Sequence, residues 1–198
     1  MEVALFYNKD NIGDVLIIKS NDEIPTSIKK YDDLVALYKN EELIGYNLFN
    51  ASSLTDELKN GINYHPSNKL INAINEKIKN YGLEEIELIK PNFKVGLVKE
   101  CIDIEGTHLH LCKVDINSDV LQIVCGASNV KEGVLVVVAM LGTIMNDGTI
   151  IKKGQLKGYD SYGMLCSKRE LNIPTEEVRG LYLLDANEYN VGDEFFVN

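Results

Sequence analysis

Residues 93–140 read FKVGLVKECIDIEGTHLHLCKVDINSDVLQIVCGASNVKEGVLVVVAM, and the pattern of this stretch decides the fold. Runs rich in Val, Ile and Leu at 93–104, 108–116, 120–126 and 134–140 are separated by Glu105 and Gly106, by Asn117 and Ser118, and by the stretch 129–133. A fifth run, SYGMLCS at 161–167, follows a turn at 146–148. Several short strands at such spacing predict a sandwich or a small closed barrel, and residues 91–198 suffice for five strands with a C-terminal extension.

Before Pro91 the periodicity has a different character. Residues 1–7 and 14–19 read as two strands joined by NKDNIG, and 33–39 with 42–49 as a second hairpin around Asn40 and Glu41. A short helix is predicted at 53–59, ended by Gly61. A longer one is predicted at 67–81, where Leu70, Ile71, Ile74 and Ile78 form one stripe, Ser67 can cap and Gly82 stops the chain. The sequence therefore predicts an α+β N-terminal domain, an antiparallel sheet with helices, over 1–90. An all-β barrel over 91–198 follows it, with Pro91 in the linker.

Composition bounds the function. The 198 residues are 45% hydrophobic and 25% charged, the balance of an ordinary globular protein. The longest apolar run, 134–141, has eight residues, far short of the roughly 20 that span a bilayer. Glu2 stands where a signal peptide carries positive charge, so no membrane association and a cytoplasmic location are expected. Cys101, Cys112, Cys125 and Cys166 form no C-x-x-C pair and read as reduced, mostly buried thiols.

The net charge of −10 argues against unselective binding to nucleic acid. Each half of the chain carries −5, yet within the second half residues 151–169 hold Lys152, Lys153, Lys157, Lys168 and Arg169 against Asp160 alone. This cationic island either solubilises a turn or forms a nucleic-acid groove. Tyr159, Tyr162 and Met164 lie within it and can stack or wedge against bases.

Enzyme signatures are missing. GYDSYG at 158–163 has the wrong spacing for a nucleophile elbow, GTIIKKGQLKG is neither a P-loop nor a dinucleotide motif, and only His65, His108 and His110 offer general bases. His108, His110 and Cys112 alternate along one predicted strand and are zinc-ligand types. The plainer reading, a packed Cys112 with rim histidines, is preferred, so neither metal nor cofactor is expected.

The words KVDI (113–116), LQIVCGASNV (121–130), VVVAMLGTIM (136–145), IKKGQLKGYDSYGMLCSKREL (151–171) and GLYLLD (180–185) occur in the order and spacing of a known family. The chain resembles the tRNA-binding domain family, whose members include an insert near the start of the bacterial phenylalanyl-tRNA synthetase β chain. With about 90 preceding residues it looks most like the family's YtpR-like stand-alone proteins. The resemblance covers 91–198 and implies an OB-fold barrel that binds tRNA by shape and backbone rather than by sequence. It places Cys125, Gly126, Ala127 and Asn129 at a turn beside the binding groove. It adds Ser161, Gly163, Met164, Cys166 and Ser167 from the S-x-G-M-L-C-S motif, and Lys152, Lys153 and Lys157 just before it. For Val124, Leu165 and the cysteines, plain core packing is the competing reading.

The family's His-Pro stretch before its second strand is replaced here by CIDIEGTHLHL, 101–111. Taken together, these residues predict a non-catalytic RNA-binding protein. Its binding residues would be Asn129, Lys152, Lys153, Lys157, Ser161, Met164, Ser167, Lys168 and Arg169. A protein-interaction or chaperone-like module is the alternative, favoured by the global acidity and the altered loop. The resemblance also implies a homodimer, to which Tyr182, Leu183, Leu184, Phe195 and Phe196 offer apolar surface.

Overall fold

In a computed structural model that describes residues 1–176 and 179–196, the chain divides into two units. Met1–Lys90 forms the first together with Asn146–Thr149, and Pro91–Met145 forms the second with the described residues from Ile150 to Phe196.

The first unit contains β1 (Glu2–Tyr7), α1 (Lys9–Ile12), β2 (Val15–Lys19), β3 (Ser27–Tyr31), β4 (Leu34–Lys39), β5 (Glu42–Phe49), β6 (Gly61–Ile62), α2 (Asn68–Asn80) and β7 (Glu87–Leu88). Its strands run in the order β3-β4-β5-β2-β1-β6, antiparallel throughout, with β7 parallel to β1. Alternation places Leu5, Leu16, Ile18, Leu34 and Leu48 in the core, where Leu70, Ile74 and Ile78 of α2 join them. The helix forms where the stripe predicts it: Ser67 Oγ accepts the Leu70 N–H at 3.1 Å, and the chain leaves through Gly82 at φ +67°. Asn40 and Glu41, both at positive φ, make the two-residue turn between β4 and β5.

One local expectation, the helix at 53–59, needs correction, and two further features refine the rest. NKDNIG is a single helical turn, α1, capped by Asn8. The helix expected at 53–59 is absent: a 3₁₀ turn at Ala51–Ser53 is followed by irregular chain. Side chains there capture the backbone groups a helix would need, Thr55 Oγ1 accepting from Glu57 N–H and Asn63 bonding both Lys59 N–H and Lys59 C=O. In addition, β3 forms from SIKKY, an exposed edge strand without the apolar alternation that would have announced it.

The second unit contains β8 (Phe93–Asp103), β9 (His110–Asp115), β10 (Val120–Cys125), β11 (Leu135–Ala139), β12 (Gly154–Leu156), β13 (Tyr159–Ser161), β14 (Met164–Leu165) and β15 (Leu183–Leu184). The sheet runs β10-β9-β8-β11-β14, with β15 beside β11. The first part of β8 pairs with β11 and the rest with β9, and a bulge between Val98 and Glu100 bends the strand between its two partners. The far edges then meet. Tyr162 N–H donates to Gln122 C=O at 2.9 Å and Val124 N–H to Ser161 Oγ at 3.1 Å, which nearly closes the sheet into a barrel. Val98, Cys112, Val114, Ile123, Val136, Val138 and Leu165 fill the interior. Gly96 permits that closeness, because a Cβ there would sit 2.6 Å from Val114 Cγ1 and 2.7 Å from Val138 Cγ2.

The run 161–167 is not one strand. It breaks into the ends of β13 and β14 at Gly163, whose φ of +153° and close approach to the Ala139 carbonyl exclude larger residues. The strand carrying the histidine stripe begins at His110, which leaves His108 in the preceding loop. In the C-terminal stretch Leu184 and Phe195 are buried, whereas Leu183 and Phe196 are exposed.

Candidate nucleic-acid interface

Much of the island 151–169 folds as the hairpin β12–β13. Its register, Leu156 opposite Tyr159, leaves Lys157 and Gly158 as a two-residue loop with φ +51° and +85°, the twist that suits right-handed strands. Glycine accepts this conformation freely; a lysine held in it costs about 1–2 kcal/mol. The tip of the hairpin nevertheless presents the Lys157 side chain to solvent.

Lys153 behaves differently. Its Nζ lies 2.9 Å from Asp160 Oδ2 and 5.0 Å over the Tyr162 ring. The Tyr162 hydroxyl donates to the same Oδ2 at 3.1 Å, and Gln155 Nε2 donates to Oδ1 at 3.2 Å. The Lys153 ammonium first, and the Tyr162 hydroxyl after it, hold the Asp160 carboxyl below the usual carboxylate range, and Asp160 in return raises Lys153. These two charges answer each other; the island's other cations are Lys152, Lys157, Lys168 and Arg169. Lys152 and Arg169 are exposed, and Lys168 Nζ lies 5.3 Å over the Tyr182 ring.

The polar site candidates are bonded within the fold. Ser161, 5% exposed, accepts from Val124 N–H and donates to Gly163 C=O. Ser167 and Glu170 form a reciprocal cap: the Ser167 N–H and Oγ each donate to Glu170 Oε2 at 2.6 Å, and Glu170 N–H donates to Ser167 Oγ at 3.3 Å. That cap opens the turn on which Lys168 and Arg169 ride. Asn129 is bound to the backbone of Leu181, and Met164 is half-buried opposite Ala139. Cys125 and Cys166 are buried, which pushes both thiols up.

Beside the hairpin lies a groove of about 730 Å³, whose lining includes Tyr159, Tyr162, Lys113, Gln122 and Asp160. Gln122 ties it together: its Oε1 accepts from Lys113 Nζ at 3.0 Å and its Nε2 donates to Asp160 C=O at 2.8 Å. Sequence reasoning passed over Lys113 and Gln122 as site residues, although KVDI and LQIVCGASNV contain them. At the opposite end of the strands, His110 Nδ1 lies 2.8 Å from Asp103 Oδ1, and Cys112 Sγ lies 3.9 Å from Cys101 Sγ. Among the described residues no group of three or more His, Cys, Asp or Glu is placed to hold a metal ion.

Against this geometry, a family model described as "Putative tRNA binding domain" matches residues 93–193, the span that contains the barrel, the island and the groove. The chain belongs to the tRNA-binding domain family. Its first unit is matched separately, over residues 21–88, by a "Domain of unknown function (DUF4479)". Over 96% of its length the chain is 37% identical to the "Putative tRNA-binding protein YtpR" of Bacillus subtilis, covering 98% of that protein. It is 42% identical over 139 residues to an "Uncharacterized protein MG449 homolog" of Mycoplasma pneumoniae, covering 58% of it. The relation to the synthetase branch of the tRNA-binding family is equally plain. A phenylalanine–tRNA ligase beta subunit from Lactobacillus acidophilus is 42% identical over 122 residues, which amount to 15% of that subunit. Among the described residues no helix is long and apolar enough to cross a membrane.

Proposed function

We propose that this chain is a non-catalytic tRNA-binding protein of the cytoplasm that engages tRNA through its second unit. In this reading residues 91–198 are an OB-fold tRNA-binding domain and residues 1–90 a separate α+β domain. Cooperative melting of the isolated fragment 91–198 tests that division. The reading rests on one coincidence: the family match falls on the unit in which a nearly closed barrel carries both the groove and the island's cations. Lys152, Lys153, Lys157, Lys168 and Arg169 neutralise phosphates, Lys153 while still bonded to Asp160, since an ammonium carries three donors. Phosphate contacts position the RNA without reading its sequence.

The test is a salt titration with unfractionated tRNA. Four to five contacts give a log–log slope of about −3 to −4.5. Reversing Lys152, Lys153 and Lys157 to Glu weakens binding to all tRNAs alike. A folded protein that fails to bind bulk tRNA at about 0.05–0.1 M salt, where the Debye length is near 10 Å, overturns the reading in favour of a protein partner.

A further inference from the structure

The groove beside β12–β13 is chemically unlike the island on its flank. Its charged lining is Lys113, Asp119 and Asp160, the last paired with Lys153, and the remaining lining is tyrosine, amide and aliphatic. These charges balance and offer a phosphate no excess of positive charge, so the groove suits the RNA backbone less than the island does. Its surfaces suit a flat ring instead. Tyr159 is 41% exposed, Val120 and Leu141 stand open at the rim, and Lys153 lies over the Tyr162 ring at 5.0 Å and fixes its orientation.

We infer that this groove receives an unpaired nucleobase bearing an exocyclic amino group, stacked on Tyr159 and donating to Asp160. The inference rests on the tRNA-binding reading and adds a base-contacting subsite to it. A carboxylate that remains ionised accepts hydrogen bonds and never donates them. Its two oxygens offer about four acceptor positions, of which Lys153, Tyr162 and Gln155 take three. The place left suits a single amino donor, as on adenine, cytosine or guanine. Uracil lacks the amino group, and its one ring N–H is flanked by carbonyl oxygens that the carboxylate repels. Stacking tolerates every base, because each has a π-face, so Tyr159 supplies affinity and Asp160 supplies the preference.

The experiment compares labelled hexanucleotides of adenine, cytosine and uracil, together with bulk tRNA, on the full chain and on Tyr159→Ala and Asp160→Asn. The native protein should prefer the adenine and cytosine oligomers to the uracil one by about tenfold, in line with a hydrogen bond to a charged group. Tyr159→Ala should weaken every oligomer by about five- to a hundredfold while leaving the salt slope unchanged, since no phosphate contact is lost. Asp160→Asn should shrink the base preference to within about twofold, an amide being donor and acceptor at once. If bulk tRNA binds but the oligomers show no base preference, or both variants behave as the native protein does, the groove inference falls and the tRNA-binding reading stands. If bulk tRNA does not bind, the tRNA-binding reading itself falls.

Discussion

The side chain of Asn129 bonds both backbone atoms of Leu181, Nδ2 donating to O at 3.1 Å and Oδ1 accepting from N at 2.8 Å. Because Leu181 is 7% exposed, Asn129→Ala leaves a donor and an acceptor with little water to replace the amide. The variant should lose about 2–4 kcal/mol, read from urea unfolding. Lys157 is the opposite case. It makes a hairpin tip at φ +51° that glycine would adopt without strain, so Lys157→Gly should hold or raise the melting temperature while lowering the tRNA salt slope by about 0.7–0.9. A melting temperature lowered by several degrees would show that the lysine supports the fold instead. The contrast explains what was legible here. Exposed cations announce themselves by sequence clustering, but the partner of a polar side chain is set by tertiary distance. Nothing near Asn129 in the chain points to a residue 52 positions away.

At the scale of elements, α2 was legible because cap, stripe and stop agree: Ser67, then Leu70, Ile74 and Ile78, then Gly82. The hairpin β12–β13 was obscure because its exposed residues show no apolar alternation, and its turn signal, Lys157 and Gly158, lay inside a lysine cluster. Just upstream of 53–59, where the expected helix is missing, Asp14 accepts Ser52 N–H at 2.9 Å and Ser52 Oγ at 2.6 Å and so holds the 3₁₀ turn. The Ser52 hydroxyl, and then its N–H, depress the Asp14 carboxyl from 3.8 to about 2. A carboxyl lowered on folding contributes stability that is present above its unfolded value and lost as pH falls through the folded one. Asp14→Asn should therefore destabilise the protein near neutrality and converge with the native protein as pH drops toward 2, in urea melts across that range. A difference that persisted unchanged at the acid end would mean that the ionised carboxylate is not what holds the turn.

For the molecule as a whole, an acidic protein has to approach a polyanion. The net charge is −10, whereas the island's positive charge is confined to residues 151–169. Which of these the RNA senses depends on the Debye length, about 30 Å at 0.01 M salt and about 8 Å at physiological strength. At the longer range the acidic surface as a whole repels the RNA. At the shorter one only the nearest lysines are felt. Salt thus acts in two directions: it screens the long-range repulsion and thereby speeds encounter, and it replaces condensed counterions and thereby weakens the bound state. The log–log plot of tRNA affinity against salt should bend accordingly, flattening or turning over below about 0.05 M and reaching its full slope only above, where the Debye length has shrunk toward 10 Å. Stopped-flow association at constant magnesium should show the rate rising with salt in the lower range, the reverse of what a basic RNA-binding protein gives. A straight plot down to the lowest salt, with an association rate that falls throughout, would mean that the acidic surface is not sensed by the approaching RNA.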